Sequence, residues 1–151
     1  KLLIILIVIM GNYNSVNKIS FYDMQNILNS NNNNNNYIII NTLEEREQNC
    51  LITNTLTANM ELQLFNNNTH VFLDKNIIIY GKNCNCNKIY DKYHQIKKMG
   101  FINVYLYPGG LFEWLLLQDI YGDENFPTTI KELDILKYKP DNIINNFLLL
   151  R

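Results

Sequence analysis

The chain has 151 residues, a mass of 17.8 kDa, a formal net charge of −1 at pH 7 and three cysteines. This length suits a single domain with a hydrophobic core of its own. A sequence pI near 6.1 argues against nucleic-acid binding, because proteins of that kind carry a basic face. The odd cysteine count, with two cysteines one residue apart, does not suit a disulfide framework, so we expect a reducing, cytoplasmic location.

The first residues combine an apolar run with a lipidation pattern. Leu2–Met10 is too short to span a bilayer, which requires about 20 apolar residues, and it resembles the start of a signal peptide without a clean cleavage site. If Met10 is the true start, Gly11 heads the N-myristoylation pattern M-G-x-x-x-[ST]. One myristoyl chain anchors weakly, so any membrane association would be reversible. We therefore expect 1–17 to be a leader segment.

The next part of the chain predicts a helix, an asparagine-rich loop and a strand. The helix opens on Ser20, with Asp23 three residues later completing a cap. Its buried face would consist of Phe21, Met24, Ile27 and Leu28. The low-complexity run Asn31–Asn36 cannot build a core and should form a loop before a strand at Tyr37–Ile40.

Weaker patterns follow this strand. The charged cluster Glu44–Glu47 predicts a solvated helical turn. We expect a short strand over Thr55–Asn59, a helical turn over Met60–Phe65, and a second loop in the asparagine-rich stretch Asn66–Thr69.

The centre of the chain predicts a strand, a helix and a second strand. Ile77–Tyr80 is a short apolar run suited to a buried strand of a parallel sheet. Asn87 is placed to cap a helix over Lys88–Met99, and Gly100 suits the left-handed residue after its end. Phe101–Tyr107 then returns as a strand, so we expect a right-handed βαβ crossover.

The loop between the first of these strands and the helix is the natural place for a functional site. Backbone N–H groups at a helix N-terminus favour anions and lower the pKa of nearby thiols. The candidate site residues are Gly81, Lys82, Asn83, Cys84, Asn85, Cys86 and Asn87. A metal site built on the two cysteines would need further ligands that the sequence does not supply nearby, so we expect no metal and no cofactor.

The end of the chain predicts two more helices. Leu111–Tyr121 is apolar almost all the way round, which is typical of a helix that is deeply buried or holds a partner. Thr129 and Glu132 fit a capping box for a second helix that Pro140 would end. Its buried residues would be Leu133, Ile135 and Leu136. We therefore expect 123–151 to be a helical extension.

The central stretch resembles the rhodanese-like domain, a sulfurtransferase fold. Gly100, Asn103, Gly109 and Trp114 fall at the spacing of the family's G-F-x-N-V-x-x-L-x-G-G-x-x-x-W pattern, with Tyr107 in place of its leucine. The resemblance implies an α/β fold of three layers, with a central, mostly parallel sheet flanked by helices, over 18–122. The tail after this stretch is similar to the ending of a small eukaryotic subgroup of single-domain members.

The sequence departs from the family pattern at the chemical positions. The residue after the strand-ending aromatic is the persulfide-forming cysteine in rhodaneses, and here it is Gly81. By the same resemblance, Asn41 replaces an aspartate, Leu43 an arginine and Leu51 a histidine. Counting back from Gly100 instead brings Cys84 close to the nucleophile position.

Three functions compete on this basis. The first is a rhodanese-like module that lacks the catalytic cysteine, because of Gly81, and binds a protein partner or a small sulfur-containing anion. The second is a thiosulfate or persulfide sulfurtransferase whose nucleophile has moved to Cys84, with Cys86 able to resolve the persulfide as a disulfide. The third is a phosphatase or arsenate reductase, which is disfavoured because the stretch from Ile77 to Met99 contains no arginine.

Overall fold

The computed structural model describes residues 15–31, 36–67 and 72–144. The predicted lipidation site Gly11, most of the Asn31–Asn36 run and the last seven residues of the chain lie outside these ranges. No helix in the described ranges is long and apolar enough to cross a membrane.

The centre of the fold is a parallel sheet of three strands in the order in which they occur along the chain. The strands are β1, Tyr37–Asn41, β2, Asn76–Tyr80, and β3, Asn103–Tyr107. Their last residues are in register across the sheet, so all three carboxyl ends meet at one edge. Single parallel bridges, Lys18 to Leu106 and Ile39 to Thr55, extend the sheet on both sides.

Helices cover both faces of the sheet. They are α1, Phe21–Asn31, α2, Ala58–Asn67, α3, Lys88–Lys98, and α4, Gly110–Tyr121. The buried faces of α1 and α4 share one apolar cluster with Ile78, whereas α3 packs on the other side with Ile77 and Ile79. This alternation follows from the two-residue period of a strand buried on both faces. The predicted three-layer α/β fold is confirmed.

The first helix begins as its cap predicts. The backbone N–H of Ser20 donates to Asp23 Oδ2 at 2.8 Å, and the N–H of Asp23 donates to Ser20 Oγ at 3.3 Å. These bonds from Ser20 also lower the pKa of Asp23. The prediction that Phe21 lies in the core is wrong, because it is 38% exposed at the edge of the cluster, beside the ring of Phe126.

The predicted strand over Thr55–Asn59 is wrong beyond its first residue. Thr55 makes a single bridge to Ile39, and α2 already begins at Ala58. The predicted turn at Glu44–Glu47 is present as a 3₁₀ turn over Glu45–Glu47.

The helix predicted to open at Thr129 is wrong as well. The segment is irregular apart from a 3₁₀ turn over Ile135–Tyr138, and Leu133, expected inside, is 86% exposed. The physical reason is that Thr129, the predicted capping residue, forms hydrogen bonds with Leu51 instead. The Thr129 N–H donates to Leu51 O at 2.8 Å, and its hydroxyl accepts from the Leu51 N–H at 3.0 Å.

Candidate functional site

The candidate loop runs from the end of β2 to the start of α3, at the carboxyl edge of the sheet, and Gly81 is buried at its beginning. A Cβ at position 81 would lie 2.6 Å from Cys86 Sγ, 2.9 Å from Cys86 Cβ and 2.9 Å from Ile89 Cγ2. Real side chains do not approach so closely. The space that the side chain of residue 81 would need is therefore already filled, mainly by Cys86.

The Cys86 thiol has mostly apolar surroundings. Cys86 is partly buried and packs against the α3-side cluster that contains Ile89. Its sulfur lies 3.6 Å from Thr42 Oγ1, within hydrogen-bond distance for sulfur. A thiol packed in this way fills space as a small apolar side chain does.

The second loop thiol, Cys84, is exposed, and its Sγ lies 3.7 Å from Asn85 Oδ1. The third thiol, Cys50, is fully buried in the apolar cluster that contains Trp114. Burial raises the pKa of Cys50, and its Sγ donates to Ile130 O at 3.4 Å. Of the three thiols, Cys84 is thus exposed, Cys86 partly buried and Cys50 fully buried.

Asn83 fixes the shape of the loop. Its side chain is buried, and Oδ1 accepts from the N–H of Asn85 at 3.1 Å. Its Nδ2 donates to Tyr138 O at 2.9 Å, which ties the loop to the C-terminal extension. Asn87 occupies the predicted cap position before α3, but its side chain makes no capping hydrogen bond.

The Gly-Gly turn at the start of α4 holds the loop from the other side. The N–H groups of Leu111 and Phe112 donate to Gly81 O and Lys82 O, each at 2.9 Å. Gly110 has a φ of 66°, and a Cβ there would lie 2.6 Å from Gly81 O. The free N–H groups at the helix start therefore satisfy loop carbonyls.

Tyr107, at the end of β3, donates its hydroxyl to Glu113 Oε2 at 2.6 Å. Burial and this carboxylate acceptor both raise the pKa of Tyr107, so the phenol stays protonated as a donor. Gly109 leaves room for the carboxylate, because a Cβ at that position would collide with it. Gly109 thus makes room for the Glu113 carboxylate, and Gly110 makes room for the carbonyl oxygen of Gly81.

The cations near the loop are paired with acidic side chains. Lys82 Nζ lies 2.7 Å from Glu47 Oε1, and Lys88 Nζ lies 3.4 Å from Glu44 Oε1. Partial burial acts to raise the pKa of Glu47, but the hydrogen bond from Lys82 and its charge outweigh burial and lower it. The Glu45–Glu47 turn therefore contacts the loop through Glu47 and is only partly exposed to solvent. The charged cluster in the sequence did not predict this contact.

The positions at which the family resemblance implies charged partners carry none here. Asn41 is buried, and its Oδ1 accepts from the N–H of Leu43 at 3.0 Å. Leu43 and Leu51 are both buried in the apolar cluster. No group of three or more His, Cys, Asp or Glu side chains within the described ranges is arranged to hold a metal ion.

The C-terminal extension packs against the same edge of the fold. Thr128 pairs with Ile52 in an antiparallel bridge. Tyr138 is fully buried, and its hydroxyl donates to Glu47 O at 3.3 Å. Sequence reasoning missed the role of Tyr138, because a single tyrosine in a polar tail has no periodic pattern around it.

The sheet order, the βαβ crossover and the loop at the carboxyl edge define a rhodanese-like fold. The family model of the rhodanese-like domain matches residues 22–117, and the chain therefore belongs to this family. No curated protein sequence matches the chain significantly.

Solved structures show the same fold at low sequence identity. An uncharacterised protein of Saccharomyces cerevisiae is 19% identical, with a TM-score of 0.53 over 73% of this chain and 97% of that one. The S. cerevisiae single-domain sulfurtransferase RDL2 is 17% identical, with a TM-score of 0.52 over 77% and 99%. Protein BH2092 of Bacillus halodurans is 17% identical, with a TM-score of 0.52 over 87% and 89%.

Proposed function

We propose that this protein is a non-catalytic member of the rhodanese-like family and acts by binding a partner protein. The observation that carries the proposal is the packing at Gly81, where the side-chain space of the family's nucleophile is occupied by Cys86. A residue without a side chain cannot supply a thiolate at the focus of the loop.

The rhodanese reaction sets clear demands on this site. A thiolate attacks the outer sulfur of thiosulfate, forming an enzyme persulfide and releasing sulfite, and cyanide then removes that sulfur as thiocyanate. Such chemistry needs a cation or free N–H groups near the thiolate to stabilise the anions. Here Lys82 and Lys88 are each engaged by a glutamate.

A protein partner fits the loop better than a small sulfur-containing anion. Glu44 and Glu47 form ion pairs with the two lysines of this region, so the positive charge that a small anion would need is already used. The extension also reaches the loop through the bond between Asn83 and Tyr138. Both features favour recognition by an extended surface over binding of a small ion.

Sulfur transfer through the loop thiols is the second candidate function. It is favoured by one observation, the position of Cys86 Sγ beside the place of the usual nucleophile. In this scheme Cys84, which is exposed, would take the sulfur as a persulfide. The Cys86 thiolate would attack the inner sulfur of Cys84, forming a disulfide and releasing hydrogen sulfide.

Intact-mass spectrometry separates the two candidates. The protein is incubated with thiosulfate, measured, treated with cyanide and measured again, alongside Cys84→Ser, Cys86→Ser and the double variant. We expect no cyanide-reversible gain of one sulfur in any of them, whereas an active rhodanese run in parallel gains it. A sulfur that maps to Cys84 or Cys86, with turnover on the order of 1–10³ s⁻¹, would establish the second candidate instead.

A further inference from the structure

A groove of about 560 Å³ separates the last turns of α4 from the extension that follows. Its lining includes the apolar residues Leu115, Pro127 and Ile135 and the acidic residues Asp119 and Asp123. We propose that this groove binds a basic, amphipathic segment of a partner protein. The proposal rests on the binding role proposed above and adds to it the surface and the chemistry of the partner.

Negative charge is concentrated at this end of α4. Asp119, Asp123 and Glu124 are exposed, and none of them forms an ion pair with another residue in the described ranges. The last turn of α4 contains no basic residue. Because the C-terminus of a helix carries partial negative charge, acidic groups there are unfavourable in the isolated chain. A cation from a partner would remove this cost.

The remaining charges of the groove do not cancel this excess. Glu132 lies in the groove, but Lys137 binds it at 2.6 Å, and that hydrogen bond is the main reason that the pKa of Glu132 is lowered. Lys131 is the one basic residue among those that line the groove. Two aspartates therefore face a single lysine, which leaves the groove negative.

Exposed apolar side chains lie beside these carboxylates. Leu116, Asp119 and Ile120 share one face of α4, because residues three and four apart are neighbours on a helix. Ile120 is 69% exposed and Tyr121 is 62% exposed. Ile130, which lines the groove from the extension, is half exposed. Large exposed apolar groups bordered by unpaired acids are typical of a surface that binds a basic amphipathic segment.

The test uses a fluorescein-labelled peptide of leucines and lysines, about 14 residues long, spaced as an amphipathic helix. Fluorescence anisotropy gives its Kd for the full chain and for Asp119→Asn/Asp123→Asn. We expect the double variant to bind about tenfold more weakly, because both carboxylates contribute attraction at the groove. Raising the salt concentration should weaken binding to the wild type more than to the variant.

The matched control is Asp74→Asn/Asp91→Asn, which removes two exposed carboxylates away from the groove. This variant should keep the wild-type Kd within about twofold. Equal losses in both double variants, or no binding by the wild type, would overturn the groove proposal. If the chain also transfers no sulfur, the non-catalytic role stands without the groove. A wild-type dimer that Asp119→Asn/Asp123→Asn dissociates would overturn it too, since the occupant would then be a second copy.

Discussion

At the scale of single residues, the packing of Cys86 beside Gly81 limits which side chains position 81 can carry. The Cys86 sulfur and Cβ both lie inside the volume that a side chain at position 81 would occupy. Cys86 therefore packs against the cluster that contains Ile89, and it leaves no room for a side chain at position 81. Neither effect requires the thiol to react.

This contact predicts a strong coupling between the two positions. Gly81→Ala should destabilise the wild type by about 1–3 kcal/mol through overpacking. In a Cys86→Gly background the same change should cost less than half as much, because two of the three nearest contacts are gone and the approach to Ile89 remains. Urea unfolding of the four proteins in the cycle measures the coupling. Additive costs would show that Cys86 does not occupy the space.

The Lys82–Glu47 pair predicts a pH-dependent part of the stability. The pKa of Glu47 in the folded chain lies below its ordinary value of 4.5. Its contribution is therefore fully present above about pH 4.5 and is lost as the pH falls through the folded pKa. Because the pair is partly exposed, we expect Glu47→Gln to cost only about 1 kcal/mol at pH 7.

Chemical denaturation at pH 7 and at about pH 3 checks this expectation. The wild type and Glu47→Gln should differ at neutral pH and converge in acid. Glu45→Gln is the matched control, because Glu45 is exposed and forms no ion pair with another described residue. A difference between wild type and Glu47→Gln that grows in acid would contradict the assignment.

At the scale of elements, the Gly-Gly turn joins helix α4 to the loop through backbone groups. Gly110→Ala places a Cβ in the left-handed region and 2.6 Å from Gly81 O, which cannot move without the loop. We expect a loss of about 3 kcal/mol or more, since strain and a backbone clash add.

Gly100→Ala is the control for strain alone. Gly100 has a φ of 99°, but among the described residues a Cβ there would meet only Leu73 Cδ2, at an ordinary 3.5 Å. Its cost should be about 1–2 kcal/mol, measured in the same urea titrations. Equal losses in the free energy of unfolding for Gly110→Ala and Gly100→Ala would show that a Cβ at position 110 does not clash with the loop.

The elements of the sheet were also the part of the fold most open to prediction. Strands β2 and β3 and the helix between them carry apolar residues at regular spacing, and their observed bounds lie within two residues of those expected. The prediction of a helix at Thr129 was wrong because the Thr129 hydroxyl accepts a hydrogen bond from Leu51, which is distant in sequence. A local pattern does not contain such a contact.

At the scale of the whole molecule, the C-terminal extension is part of the core. Trp114, the single tryptophan, is fully buried, and its Nε1–H donates to Pro127 O at 3.2 Å. Its ring packs edge-on against Phe126 at 4.9 Å between centroids. The extension therefore covers α4 and should unfold together with the domain.

Substitutions at Tyr138 test this coupling. Tyr138→Ala should cost about 3–5 kcal/mol, as for other buried aromatic residues, and shift the unfolding followed by Trp114 fluorescence. Tyr138→Phe should cost about 1 kcal/mol, because it removes only the hydroxyl, which lies 3.3 Å from both Glu47 O and Glu132 Oε2. The exposed Leu136 in the same turn supplies the control, and Leu136→Ala should stay within about 0.5 kcal/mol. A biphasic transition would show instead that the extension folds separately.

The candidate site was predictable only in its position. The pattern of strand, loop and helix placed residues 81–87 at the carboxyl edge of the sheet, and the structure has them there. The bonds that shape the loop join it to Glu47 and Tyr138, which are 35 and 55 residues away from their partners. Such contacts depend on how the elements pack, which local sequence does not determine.

The filled space beside Gly81 also sets the order in which positions 81 and 86 can change. A cysteine introduced at position 81 would overpack and destabilise the protein unless position 86 had already lost its bulk. Position 86, in turn, gains nothing from shrinking while position 81 is glycine. The two positions therefore constrain each other, and a side chain at position 81 is accommodated only after position 86 has become smaller.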